Sequence, residues 1–256
     1  MGAEIVRKFA AEGCNVAINY ASSKDAAEKL AQEVQEKHSI KTAVLKGDTT
    51  SMDDCKKCVQ DTVDAFGGID GIIANAGWTR FSDFADLGSM EDHEWDRCWT
   101  AQVMGPKKYI QESLPHFKKN SEGGFFIITS SIAAQSLAGS SMPYSVTKAA
   151  QVHFMKCVAL THGPTLRINA VLPGLLLTDW GNRYGDERIN ALKDAAALKI
   201  EVSSRPLSRL NLRWKAGAKL ACIRPSWTTA RICTFLSRRI PLLLGRTSPS
   251  VSPPDP

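Results

Sequence analysis

Three side chains able to move a proton lie close together in the middle of the sequence. Tyr144 and Lys148 stand four residues apart in a segment with a helical pattern, and Ser131 ends an apolar run thirteen residues before Tyr144. Residues four apart share one face of a helix. An ammonium near a phenol favours the phenolate and lowers the phenol pKa from about 10. With a hydrogen bond from Ser131 to the reacting oxygen, the trio predicts a general acid/base that interconverts a carbonyl and an alcohol.

Tyr-x-x-x-Lys occurs by chance on many solvated helices, so the predicted catalytic role of this pair depends on the helices and strands around it. The first 200 residues alternate between the helical and the strand hydrophobic period, which is typical of a parallel sheet with crossover helices. The prediction is an α/β fold with a doubly wound parallel sheet (Rossmann-like), in one domain over 1–200. The predicted helices are 2–12, 23–38, 51–66, 92–117, 142–163 and 186–199, and the predicted strands are 15–20, 41–45, 71–74, 124–129 and 167–172.

The composition changes near residue 200. The net charge of the chain is +6, but residues 201–256 contain ten Lys or Arg against two Asp or Glu, and seven of the twelve prolines. This segment has no hydrophobic period, and the only strand-like fragment in it is Leu242-Leu-Leu-Gly. We expect a basic, poorly ordered tail. Its arginines are not gathered on a helix face and no nucleic-acid motif is recognisable, so nucleic-acid binding is disfavoured.

Composition also restricts the compartment and the metal chemistry. No apolar stretch approaches the ~18 residues of a membrane span, and the first residues are amphipathic rather than a secretory signal. Seven cysteines without a regular framework predict free thiols in a reducing compartment, and therefore a cytoplasmic protein. Cys55-Lys-Lys-Cys58 has metal-like spacing but no second pair, so we predict two helical thiols and no metal site.

Several further motifs occur in the order and spacing of one family. They are Ala74-Asn75-Ala76-Gly77 after a strand, Asp48 after the preceding strand, Trp95-Asp96 and Gly105 on a helix, and Asn169-Ala-Val-Leu-Pro173-Gly174 followed by Thr178. With Ser131, Tyr144 and Lys148, they make residues 2 to about 200 resemble the short-chain dehydrogenase/reductase family.

This resemblance implies hydride transfer between a nicotinamide cofactor and a small carbonyl or secondary alcohol substrate. Tyr144 would be the acid/base, Lys148 would hold the ribose hydroxyls, and Ser131 would polarise the carbonyl. Gln102 occupies the place of a fourth catalytic residue that is Asn in most members. The implied cofactor contacts are Asp48, Asn75, Tyr144, Lys148 and Thr178. A homodimer or homotetramer, paired through the helices that carry Gln102 and Tyr144, is implied by the resemblance alone.

The sequence departs from the family at both ends. The first strand of the family and its Thr-Gly-x-x-x-Gly-x-Gly turn, which binds the cofactor pyrophosphate, have no counterpart apart from Gly2. The last strand is also missing, and the basic tail stands in its place. We therefore expect a sheet without its central strand. The alternative function is an inactive, truncated relative, a pseudoenzyme or the product of a faulty gene model, with at most a binding role.

The cofactor preference follows from the end of the second family strand. A fold of this type that selects NAD usually has a carboxylate there for the ribose 2′-hydroxyl. The segment here is Asn19-Tyr-Ala-Ser-Ser-Lys24, without an acidic residue that would repel a 2′-phosphate. We predict NADP(H) rather than NAD(H).

Overall fold

The computed structural model describes residues 1–177, 181–195 and 219–223. Its α-helices are α1 (Gly2–Ala11), α2 (Lys24–His38), α3 (Met52–Phe66), α4 (Asp92–Trp99), α5 (Gly105–Phe117), α6 (Met142–His162) and α7 (Asp186–Ala195). Its strands are β1 (Asn15–Tyr20), β2 (Thr42–Lys46), β3 (Gly71–Ala74), β4 (Gly124–Thr129), β5 (Leu166–Val171) and β6 (Lys219–Ile223). The predicted helices and the first five strands are found, with ends that shift by a few residues at most within the described ranges.

The six strands form one parallel sheet in the order β2-β1-β6-β3-β4-β5. Helices cover both faces, so the predicted doubly wound α/β class is confirmed. The chain reverses its winding direction across the centre of the sheet, and in such folds ligands bind beyond the carboxyl ends of the strands at that point. Ser131 and Asn75 follow β4 and β3 directly, so both lie at this edge.

The sheet does not lack a central strand, contrary to the expectation from sequence. β6 lies between β1 and β3, with Ala221 opposite both Ala17 and Ile72. Without it, the facing edges of β1 and β3 would each leave a row of buried N–H and C=O groups unpaired, which is costly. Lys219–Ile223 satisfies both edges. It escaped sequence analysis because five residues with a single β-branched side chain, Ile223, give little strand signal.

Of the C-terminal segment, the structure describes residues 219–223. β6 belongs to the sheet, so the boundary near residue 200 does not separate all of 201–256 from the domain. The Leu242-Leu-Leu-Gly fragment and the predicted disorder lie outside the described residues. Among the described strands, β5 is at the edge of the sheet, and none pairs with its outer side.

Two hydrophobic clusters hold the helices onto the sheet. On one face, α1 and α2 pack over β1, with Ile5, Phe9 and Val34 buried. On the other face, α3, α5 and α6 pack over β3 and β4, with Tyr109 and Phe126 buried. Fully burying one large apolar side chain stabilises the fold by about 1.5–3 kcal/mol, so each cluster contributes strongly. The thiols of Cys14, Cys55, Cys58, Cys98 and Cys157 are free, and all of these except the exposed Cys157 are buried.

The predicted helix 92–117 is interrupted. α4 and α5 are joined by one π-helical turn, Thr100–Met104, which carries Gln102. A π turn adds a residue to the helical repeat and often occurs at functional sites. Gly105 follows it where the chain passes very close to the loop after β2: a Cβ there would lie 2.5 Å from the carbonyl oxygen of Thr49. A glycine is therefore needed at this contact.

Candidate active site

Ser131 is positioned by the end of β4. The strand ends at Thr129, and Ser131 then begins a short 3₁₀ turn, Ile132–Ala134. Its Oγ accepts a hydrogen bond from the backbone N–H of Ala133 at 3.2 Å. This bond restrains the side-chain rotamer and leaves the hydroxyl proton available for another acceptor.

Tyr144 and Lys148 are positioned by the first turns of α6. Ser141 caps the helix, and its Oγ accepts from the Tyr144 N–H at 3.3 Å. Pro143 lies in the first turn, where its missing N–H is no loss. The Ser141 hydroxyl also lies 2.8 Å from that of Thr79, which ties the start of the helix to the loop after β3. α6 is therefore fixed at the end that carries the chemistry.

The structure brings the predicted trio together. Ser131 lies near enough to Tyr144 to favour the ionised form of its phenol. Lys148 Nζ lies 5.3 Å from the centre of the Tyr144 ring and donates to the carbonyl oxygen of Thr129 at 2.8 Å. The Lys148 side chain is 3% exposed. An ammonium has three donors, so two of them remain beyond the bond to Thr129.

The electrostatics of the trio differ from the sequence-based expectation. Burial raises the pKa of the half-buried Tyr144 phenol well above its usual range, and the nearby Ser131 only partly offsets this. Burial also lowers the pKa of Lys148 to about 7, with the nearby Cys98 opposing the change. The expected lowering of the Tyr144 pKa by Lys148 is wrong for this structure, because desolvation of both groups outweighs their mutual attraction. Tyr144 therefore holds its proton at neutral pH.

Gln102 lies near the trio, but its amide holds the loop after β3. Its Nε2 donates to the carbonyl oxygen of Trp78 at 2.8 Å, and its Oε1 accepts from the Trp78 N–H at 3.1 Å. Gln151 donates to its backbone carbonyl at 2.6 Å. These contacts position Trp78 over the site. A catalytic role for Gln102 stays a prediction.

A cavity of about 580 Å³ opens over Ser131, Tyr144 and Lys148 at the carboxyl edge of the sheet. Asn75, Gly77, Trp78 and residues 173–176 also line it. Among the described lining residues there is no Asp or Glu.

The residues present fit a nicotinamide dinucleotide. A Cβ on Gly77 would lie 3.7 Å from Lys148 Nζ and 3.8 Å from Gln102 Oε1, so a larger side chain there would fill the space beside the lysine. Thr129 Oγ1 is buried without a hydrogen-bond partner in the described part of the chain. Met1 lines the cavity, which places the amino end of α1 and the N–H groups of its first turn at the same opening.

One predicted cofactor contact does not line this cavity, and another lies outside the described residues. Asp48 is not among its lining residues; one carboxylate oxygen accepts from the N–H and the hydroxyl of Thr50, each at 2.9 Å. It does lie at the carboxyl end of β2, on the same edge of the sheet. Thr178 lies outside the described residues. The assignments of both as cofactor contacts stay predictions.

Sequence reasoning missed Met1, Arg183 and Arg188, all of which line the cavity. The two arginines belong to the short 3₁₀ turn Gly181–Tyr184 and to α7. Arg183 lies over the ring of Phe81 at 4.7 Å, and Tyr184 meets the same ring edge-on at 4.8 Å. No motif covers this segment, so only the fold could reveal where these side chains point.

Comparison with known proteins identifies the arrangement. The sequence pattern described as short chain dehydrogenase matches residues 1–188. The chain belongs to the short-chain dehydrogenase family. Members of this family are oxidoreductases. In the described part of the chain, no helix combines the length and the apolar character needed to span a bilayer.

Individual relatives agree with this assignment. The chain is 30% identical over 202 residues to the 3-oxoacyl-(acyl-carrier-protein) reductase FabG of Staphylococcus epidermidis, with 78% of this chain and 80% of the relative covered. It is 33% identical over 194 residues to an NADP-dependent mannitol dehydrogenase of Hypocrea jecorina, with 75% and 71% covered. A double mutant of a Serratia marcescens short-chain dehydrogenase/reductase superimposes with a TM-score of 0.73 at 26% identity, covering 87% and 91% of the two chains.

Proposed function

We propose that this short-chain dehydrogenase transfers hydride between NADP(H) and a small carbonyl or secondary alcohol substrate. The observation that carries the proposal is that Ser131, Tyr144 and Lys148 line one cavity, with Lys148 Nζ 5.3 Å from the centre of the phenol ring. A carbonyl oxygen placed between the two hydroxyls would receive two hydrogen bonds at once.

Each side chain has a separate task in this reaction. The nicotinamide supplies the hydride to the carbonyl carbon. Tyr144, protonated at neutral pH, gives its proton to the forming alkoxide, and positioned proton transfer of this kind typically contributes about 10²–10⁴-fold. Ser131 holds and polarises the carbonyl. Lys148 binds ribose hydroxyls with its two remaining donors, and a charged ammonium there stabilises the phenolate once Tyr144 has given up its proton.

The preference for NADP(H) rests on the segment after β1. Residues 19–24 contain no carboxylate, and Lys24 at the start of α2 is exposed. Lys24 Nζ lies 3.3 Å from Glu28, an exposed pair that a phosphate can replace at little cost. The name of the mannitol dehydrogenase relative also supports NADP(H). The pyrophosphate would bind the backbone N–H groups at the amino end of α1.

The test is a fluorescence titration of the purified full chain with NADPH and NADH, together with turnover assays. We expect NADPH to bind in the micromolar range and more tightly than NADH. Tyr144→Phe should lower kcat at least about 100-fold while leaving the Kd for NADPH within a few-fold, because the lost group acts only on the proton. A folded chain that binds neither cofactor would refute the proposal and favour the inactive-relative alternative.

We also propose a homo-oligomer. Three exposed apolar side chains support it: Trp99 at the end of α4, Met104 at the end of the π turn, and Val146 on α6. Apolar side chains of this size on neighbouring helices are suited to an interface. Light scattering on the purified chain should give at least twice the 27.9 kDa mass of the monomer, and a strictly monomeric protein would contradict the proposal.

A further inference from the structure

The Thr129 side chain carries a buried hydroxyl at the carboxyl edge of the sheet. Thr129 is the last residue of β4, is 8% exposed and lines the cavity. Its Oγ1 makes no hydrogen bond within the described part of the chain. Most buried polar side chains in folded proteins are hydrogen-bonded, because an unpaired one is destabilising. We therefore looked for the group that this hydroxyl binds.

The backbone of Thr129 is held in place on both sides. Its carbonyl oxygen accepts a hydrogen bond from Lys148 Nζ at 2.8 Å, and Thr129 lies opposite Val171 in the sheet. The next residue, Ser130, donates its N–H to the Val171 carbonyl and its hydroxyl to the Lys148 carbonyl, at 2.8 and 2.9 Å. The position of the Thr129 side chain is therefore set by β4 and α6.

This side chain lies on the face of the sheet that α1 covers. Successive side chains of a strand point to opposite faces, so Thr129 shares its face with Phe125 and Ile127. Both of these pack in the hydrophobic cluster beneath α1, and the Phe125 ring stacks on Phe9 of α1 with 6.3 Å between the ring centres. The Thr129 hydroxyl thus follows Ile127 on the α1 side, where the cluster gives way to the cavity.

The amino end of α1 lies at the same place. Met1 lines the cavity with Thr129 and packs in the same cluster as Ile127. α1 has ten residues, and Met1 at its N-cap position has no side-chain oxygen to cap the helix. The first N–H groups of a helix have no partner within it and carry partial positive charge, which favours an anion such as phosphate. A buried hydroxyl and a helix amino end therefore meet at one opening.

We propose that the Thr129 hydroxyl donates a hydrogen bond to the diphosphate of NADP(H), which it binds together with the first N–H groups of α1. This inference rests on the proposed function and adds a cofactor-binding residue to it. A hydroxyl forms a short, charge-assisted hydrogen bond with a phosphate oxygen. Thr129 serves the diphosphate through its side chain and the ribose through its carbonyl, which positions Lys148.

The test compares cofactor binding with the stability of the cofactor-free chain. Thr129→Val replaces the hydroxyl by a methyl group of the same shape. Its Kd for NADPH, measured by fluorescence titration of the full chain, should rise about 10- to 100-fold, the effect of one hydrogen bond to a charged group. Its melting temperature without cofactor should stay the same or rise, because an unpaired buried hydroxyl is removed. Thr129→Ser keeps the hydroxyl and should keep the Kd of the wild type.

Thr62→Val is the matched control for a hydroxyl with a structural role. Thr62 is fully buried on α3, and its Oγ1 donates to the Cys58 carbonyl at 2.7 Å. Its substitution should lower the melting temperature and leave the Kd for NADPH unchanged. If Thr129→Val behaves in this way, or if it binds NADPH as tightly as the wild type, the proposal is overturned.

Two fragments of the cofactor test whether the partner is a phosphate. Reduced nicotinamide mononucleotide carries one phosphate and reduced nicotinamide riboside carries none. Both are titrated as competitors of bound NADPH. Thr129→Val should weaken the mononucleotide about 10-fold or more and leave the riboside unchanged. An equal loss for both fragments would place the hydroxyl at the nicotinamide or the ribose and overturn the assignment to the diphosphate.

Inorganic pyrophosphate separates this proposal from the proposed reaction. If no ketone is reduced, but pyrophosphate raises the melting temperature of the wild type and of Thr129→Ser and not that of Thr129→Val, the reductase proposal fails and the phosphate site stands. If the chain reduces ketones and Thr129→Val has the NADPH Kd of the wild type, the phosphate site fails alone. If neither NADPH nor pyrophosphate binds a folded chain, both proposals fail.

Discussion

Replacing Lys148 by Met should change how the stability of the protein depends on pH. Lys148 is almost fully buried, and its ammonium has no carboxylate within ion-pair distance among the described residues. Burial lowers its pKa to about 7 from an ordinary value of 10.5. Met fills a similar volume without a charge, so the variant removes this titration and retains most of the packing.

The sign of the effect follows from where the proton is bound. Below about pH 7, both the folded and the unfolded wild type hold the Lys148 proton, so the cost of the buried charge is constant. Between about pH 7 and 10.5, only the unfolded state holds it, and the free energy of unfolding of the wild type rises by up to about 1.4 kcal/mol per pH unit. Across that window the gain relative to Lys148→Met is roughly 5 kcal/mol. The lost hydrogen bond to Thr129 adds only a constant offset.

Urea unfolding followed by tryptophan fluorescence at pH 6.5, 7.5, 8.5 and 9.5 measures this difference. Burial also raises the pKa of the buried thiols, so in the alkaline part of this range they ionise only in the unfolded state. Apart from Cys98, which interacts with Lys148, their effect on stability is common to both proteins and cancels in the comparison. Lys156→Met is the matched control, because Lys156 is exposed on the same helix. The free energy of unfolding of Lys156→Met should change with pH as that of the wild type does. If the free energy of unfolding of Lys148→Met also follows that of the wild type between pH 7.5 and 9.5, the lowered pKa of Lys148 is refuted.

Two further substitutions test the fold around the site. Ala221→Pro removes a backbone N–H from the central strand and should destabilise the protein by at least about 3 kcal/mol. The control Ala221→Ser keeps that N–H and should cost under ~1.5 kcal/mol. Equal melting temperatures for the two variants would contradict the position of β6. Gly105→Ala places a Cβ 2.5 Å from Thr49 and should cost about 1–3 kcal/mol, measured by urea unfolding, with the exposed Gly88→Ala as a control expected to change little.

The local elements were predictable because each has its own sequence pattern. β1, β3 and β4 have the bounds that hydrophobic periodicity predicts. The same pattern could not reveal the π turn at Thr100–Met104, because the periodicity of α4 and α5 continues through it and reads as one helix.

The sequence predicts which residues come together in the site but not the direction in which their pKa values shift. Ser131, Tyr144 and Lys148 come together because a strand end and a helix start fix them, and both features are visible in the sequence. Their pKa values depend on how deeply other segments bury them, which no local pattern encodes. Arg183 and Arg188 were missed for the same reason: which side chains line the cavity depends on how the turn Gly181–Tyr184 packs against Phe81 and leads into α7.

The position of β6 has a consequence for how the molecule acquires its structure. Asn15 and Lys219 are neighbours in the sheet although about 200 residues separate them in sequence. Contacts between such distant residues form slowly, because a long loop must close first. During synthesis, β1 with β2 and β3 with β4 and β5 must therefore wait as two separate half-sheets, each with an open inner edge. Such edges invite pairing with other chains, so the period before Lys219–Ile223 inserts is when this protein is most prone to aggregate.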